Sequence, residues 1–317
     1  MVGRAIAAGI ALAVPGVAMA QAAPIELPGA RLHPESVSIA PDGTAYVGSM
    51  TGGVWRVDLA HARVAPFVAA GAFGSGALFG VFVDSAHHLL WTCTNSFAAP
   101  ATHVAGADQG HWVKAFDLAT GTGVISMAMP GEAAVCNDFA LGPDGNIYVT
   151  DTGQPRVLRW KPGATALEVW AEDAVFNAAT RRGGLDGLAF GGDGSLYLNN
   201  VRDGSLYRVC VGRDGRAGTI TRLVPSRALQ APDGMRRLGG NTFVLAEGAG
   251  RIDRLRVDGD TVAVETLAEA IKEPTGVDSH GATAWYVQGQ LSALFNPDKA
   301  PPVQLPFRLV PVSLGHK

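Results

Sequence analysis

The chain has 317 residues, 47% of them apolar and 17% charged. That length and apolar share exclude an intrinsically disordered chain and suit one large core or two ordinary ones. With 25 basic against 28 acidic residues and a formal net charge of −3, there is no basic excess for the phosphates of a nucleic acid, and no lysine/arginine run that would hold the chain to a membrane surface.

The first twenty residues read as an address. Arg4 precedes an apolar stretch from Ala5 to Val17, and Ala18-Met19-Ala20 supplies the small-x-small pattern of a signal peptidase site. Residues 1–20 are therefore expected to be a secretory signal peptide, with cleavage after Ala20 or Ala22. Residues 21–317 are expected to be one domain, periplasmic or secreted and free of the membrane once the signal is removed.

Past that point the chain repeats itself. The segment Ala40-Pro41-Asp42-Gly43-Thr44-Ala45-Tyr46-Val47 returns as Gly142-Pro143-Asp144-Gly145-Asn146-Ile147-Tyr148-Val149 and again as Gly192-Asp193-Gly194-Ser195-Leu196-Tyr197-Leu198. Weaker copies begin at Asp84, Gly239 and His280. From Gly43 to Gly281 the five intervals average about 48 residues, the length of four short strands and their turns. Each unit reads as an apolar strand (Ser36–Ala40, Phe139–Leu141, Leu188–Phe190), a glycine turn, an aromatic and β-branched strand, then an alternating strand such as Val54–Val57, Val157–Trp160 or Leu206–Val209. Only Glu168–Thr180 and Val262–Lys272 compete as helices, and both are short with β-branched residues. The expected fold is all-β, a six-bladed β-propeller with four-stranded blades, its ring closed by a strand from Pro24–Arg31 or Val303–Leu314.

Several features carry no chemistry by this reading. Gly74-x-Gly76-x-x-x-Gly80 is followed by a strand rather than a helix, so it is an inter-blade loop and not a dinucleotide site. His87-His88 reads as an exposed pair in a turn. Cys93, Cys136 and Cys210 allow at most one disulfide and form no Cys-x-x-Cys pair; they read as small buried hydrophobes.

The chemistry lies in position. Eight residues before Gly43, Gly145 and Gly194 stand Glu35, Asn137 and Asp186, and Asp233 stands seven before Gly240. In the sixth unit the strict count gives Glu273, but matching Pro274 to Pro34 gives Thr275, the preferred match; in the second, the equivalent falls near Gly80. Innermost strands line a propeller's channel, so these positions converge on the axis at one height. Two carboxylates about 4 Å apart repel by about 4 kcal/mol at an effective dielectric of about 20, so Glu35, Asp186 and Asp233 need protons or a cation between them. Oxygen ligands alone select a hard divalent ion, calcium before magnesium.

At these residues the sequence resembles the regucalcin/gluconolactonase family (senescence marker protein, gluconolactonase, luciferin-regenerating enzyme) of six-bladed propellers. The runs Pro34-Glu35, Asn137-Asp138, Gly187-Leu188-Ala189-Phe190 and Pro232-Asp233-Gly234-Met235 carry the resemblance. It implies a calcium site of Glu35, Asn137, Asp186 and Asp233, with Asp233 also the general base of a lactone hydrolase. Two departures stand out: Asp186 replaces the family's usual Asn, and Val135 stands where animal lactonases have a sugar-acid-binding Arg. The expected function is calcium-dependent hydrolysis of a small lactone or ester by a monomer. The alternatives are a non-catalytic exported propeller that binds a ligand or protein at the channel mouth, and a lyase or synthase on the same scaffold.

Overall fold

The Asp-Gly turns of the repeat explain why it recurs. Asp42, Asp144 and Asp193 each accept, through Oδ1, the N–H two residues on, which closes the turn that the following glycine completes. In the second and third copies the aspartate also accepts from the tyrosine four residues on, Tyr148 at 2.8 Å and Tyr197 at 2.8 Å. A turn and the strand after it are thus fixed by one carboxylate.

In this computed structural model, which describes residues 22–179 and 181–315, these units are antiparallel sheets. The described strands form four sheets of four strands and one of eight. The eight-stranded sheet is two blades joined edge to edge by a two-residue parallel pairing, Val224 with Thr261 and Pro225 with Val262. The innermost strands are Pro34–Ile39, Ala77–Asp84, Cys136–Leu141, Leu185–Phe190, Pro232–Gly239 and Pro274–His280. Each touches the next, and the sixth touches the first, so the channel is enclosed by a complete ring of six.

The core is divided in the same way. Six apolar clusters each fill one seam between neighbouring blades; Trp91, Phe139, Val149 and Trp160, for example, fill the seam of blades two and three. Both candidate segments contribute to closure. Arg308–Ser313 is the third strand of blade six, and Ile25–Glu26 pairs outside it, Ile25 with Leu309. The N-terminal segment therefore latches the ring.

Four expectations change. Cys93 and Cys136 form a disulfide across the seam of blades two and three, and Cys210 is half-buried, so these are not simply small buried hydrophobes. The two competing helices are strands, Glu168–Glu172 and Thr261–Ala268, with a single 3-10 turn at Ala174–Phe176. His87 is not an exposed partner of His88: its Nδ1 lies 2.6 Å from the buried Asp84 and its ring meets Trp160. In blade two the register aligns Phe79, not Gly80, with the candidate site residues. The expected signal peptide, residues 1–20, lies outside the described residues.

Candidate functional site

All six innermost strands break register at the same step. The shifts fall at Pro34/Ser36, Leu78/Val81, Cys136/Phe139, Leu185/Leu188, Pro232/Met235 and Pro274/Val277. Such bulges re-aim side chains, and their conserved place around the ring puts Glu35, Phe79, Asn137, Asp186, Asp233 and Thr275 at equivalent positions. The residue that follows sits against the next blade. A Cβ on Gly80 would lie 2.2 Å from the Asn137 carbonyl oxygen, and one on Gly187 would lie 2.3 Å from that of Asp233. Only glycine admits so close an approach, which is why an acid or its blade-two equivalent is followed by Gly in these copies.

Asn137 and Asp186 meet directly, and Glu35 and Asp233 lie close enough to feel the Asp186 charge. Glu35, Asn137 and Asp186 are each 4% exposed, and Asp233 is more open. Asn137 Nδ2 donates to Asp186 Oδ2 at 2.9 Å and to Thr152 Oγ1 at 2.8 Å. Because the Thr152 hydroxyl spends its proton on the Leu185 carbonyl at 2.6 Å, it can only accept from Asn137. This fixes the amide's orientation and turns its oxygen away from both partners. Asp186 Oδ1 is buried with no hydrogen-bond partner. Thr275 joins the ring, its hydroxyl donating to the Pro34 carbonyl; Glu273 instead accepts from Ser292 outside it. Val135 lies in the approach to blade three, its N–H bound to Asp151.

Burial, then repulsion from Asp186 and Asp138, holds the Glu35 carboxyl well above the usual range. Asp233 is raised well above it too, by burial and then by Asp186 and Glu35. Burial and then Asp138 push Asp186 up to about 7, against the hydrogen bond from Asn137. Among the described residues no three His, Cys, Asp or Glu side chains form a ready-made metal cage. Burial and mutual repulsion thus favour protonation of these carboxyls unless a cation lies between them. The cluster's donor chemistry fits a hard cation, since every available ligand is oxygen and Asp186 Oδ1 lacks any other partner.

One pair at the ring escaped the sequence reading. Asp138 occupies the step held by glycine in four blades, and Arg236 from blade five reaches it bidentately, at 2.6 and 2.9 Å. Arg236 also donates to the Val81 carbonyl of blade two and lies over the Phe82 ring. Both partners are buried, at 3% and 7% exposure. Removing one charge would leave the other unpaired, at a cost of about 3–5 kcal/mol. The pair ties three blades together and sets a positive charge near Glu35. A lone Arg two residues past Gly234 gives no sequence signal for a partner 98 residues away.

The comparisons agree with this architecture. The strictosidine synthase-like family, N-terminal part, matches residues 17–57, which include Glu35. No curated protein matches the chain. A solved protein assigned as a gluconolactonase is similar at 15% identity and TM-score 0.65, over 94% of this chain and 96% of its own. Luciferin-regenerating enzyme is similar at 10% identity and TM-score 0.63, over 92% and 95%. Virginiamycin B lyase from Staphylococcus aureus follows at 15% identity and TM-score 0.58, over 84% and 95%. At these identities the likeness shows the fold, an all-β propeller.

Proposed function

We propose that this protein is an exported, calcium-dependent hydrolase of a small lactone or ester, acting at the mouth of the channel. The observation that carries the proposal is the Asn137–Asp186 contact between blades, which joins an oriented amide to an acid with an unpartnered oxygen beside Glu35 and Asp233. Glu35, Asn137, Asp186 and Asp233 would hold the ion. When bound, it would supply positive charge for the carbonyl oxygen of the substrate.

Asp233 takes the proton from the attacking water. It is the most open of the four, as a carboxylate that meets the substrate's water must be. Gly234 N–H holds its Oδ1 at 2.8 Å and so orients the other oxygen. Thr152 and Thr150, which donate to the Leu185 and Asp186 carbonyls, keep the blade-four strand against blade three while this happens.

Resemblance to a gluconolactonase and to luciferin-regenerating enzyme supports an enzyme of this general kind. The interior Cys93–Cys136 disulfide supports an oxidising compartment, in keeping with export. The test is hydrolysis of a lactone and aryl-ester panel by protein stripped with a chelator, before and after calcium is restored. Turnover that returns with calcium supports the proposal. Calcium binding without turnover of any substrate would favour a ligand-binding propeller, and elimination products would favour a lyase.

A further inference from the structure

We infer that the site takes carbonyl substrates with an apolar alkyl or aryl substituent rather than polyhydroxy sugar lactones; the inference rests on the hydrolase reading and names its substrate class. Five blades bring a polar side chain to the ring position, and blade two brings Phe79. Phe79 does not stand alone. Its ring lies 5.0 Å from that of Phe97, which lies 5.5 Å from Phe295 and 5.8 Å from His111.

Phe97 and Phe295 belong to the connections 96–110 and 289–307, which join the second strands of blades two and six to the third. The second strands end at Asn95, opposite Ala77, and at Gln288, opposite Pro274. Both connections therefore leave at the end of the channel where the ring residues stand. They meet there, and Met50, Ala77 and Leu294 are buried beneath them. The outcome is an aromatic wall that runs from the ring position outward to Phe295, which is 38% exposed.

A substrate whose carbonyl reaches the carboxylates lays its remaining atoms along this wall. Phenyl side chains offer no donor or acceptor, so a sugar's hydroxyls would lose water there without compensation. An alkyl chain or phenyl ring would instead gain about 0.8 kcal/mol for each CH₂ buried, about fourfold in binding.

The test is a series of γ-lactones with substituents from methyl to hexyl, set beside glucono-1,5-lactone, all with calcium present. We expect kcat/KM to rise about two- to fourfold per methylene, and the sugar lactone to be the poorest member. Phe295→Ala should flatten that series, and Phe97→Leu should reduce its slope, with melting temperature reporting that each variant is folded. A flat series in the wild type, or a preference for the sugar lactone, overturns the inference and leaves the hydrolase reading intact. Hydrolysis of no member overturns the hydrolase reading instead. Calorimetric binding of the same lactones then decides the wall: affinity that grows with chain length and is lost in Phe295→Ala sustains it, and affinity independent of chain length overturns it.

Discussion

Asp186 and Asp233 offer the same change, acid to amide, at two different tasks. Asp186→Asn keeps an oxygen on the ring and the Asn137 contact while removing one charge. Calcium affinity should fall modestly and turnover should persist. Asp233→Asn should cut kcat by about 10²–10⁴ even with calcium saturating, because the proton acceptor is gone. Equal losses that track calcium occupancy in both variants would make Asp233 a ligand only. The same cluster sets a pH response. Its carboxyls keep their protons far above the unfolded chain's values, to about pH 7 for Asp186, so the native state holds the extra protons. Stability of the metal-free protein should therefore fall as pH rises from about 4 through 7, read as a lower melting temperature at about pH 8 than at about pH 5. Saturating calcium should shrink or reverse that difference, because it binds the deprotonated ring. An identical response with and without calcium contradicts the assignment. At this scale the sequence was informative where a residue's position follows from its place in a repeat, as with Glu35, Asn137 and Asp186. It was silent on Asp138 and Arg236, whose pairing crosses the channel and depends on no local pattern.

The strands were legible from their turns, because an Asp-Gly turn and the tyrosine after it are one hydrogen-bonded unit. Bulges were not. A register shift near the top of each inner strand leaves no mark on the apolar pattern. In blade two, whose turn lacks the glycine that anchors the count, the sequence places the equivalent only near Gly80, which the register resolves as Phe79. The disulfide was equally hidden: three cysteines allow one bond but do not choose it. Only folding brings the second strand of blade two beside the inner strand of blade three, Cα atoms 5.1 Å apart. Since Cys136 precedes Asn137, the bond holds the strand of a proposed ligand as well as a seam. Replacing Cys93 and Cys136 with Ala should cost about 4 kcal/mol for the 43-residue separation by the loop-entropy account, and should weaken calcium binding too. Denaturant midpoints and calcium titrations would report both. Unchanged stability and affinity would mean that apolar packing alone holds this seam.

A ring has no strong blade. Every inner strand touches two neighbours, and the site exists only where six of them meet, so closure and function are coupled. The latch is short, with Ile25 and Leu27 buried at 4% and 2% exposure. Deleting residues 22–27 should remove about 3–6 kcal/mol of apolar burial and soften the contact of blade six with blade one, where Glu35 stands. Loss of stability without any change in calcium affinity would separate closure from the site. The number of blades was readable from the repeat length, but how the ends meet was not, because both terminal segments had strand character and both are used. The most direct test of the whole account is a calcium titration of chelator-stripped protein, followed at each step by hydrolysis of an alkyl γ-lactone. Binding of one ion per chain, with activity rising in proportion and both abolished by Glu35→Gln together with Asp186→Asn, is the result expected. Activity that is complete without calcium, or unchanged in that double variant, would contradict it.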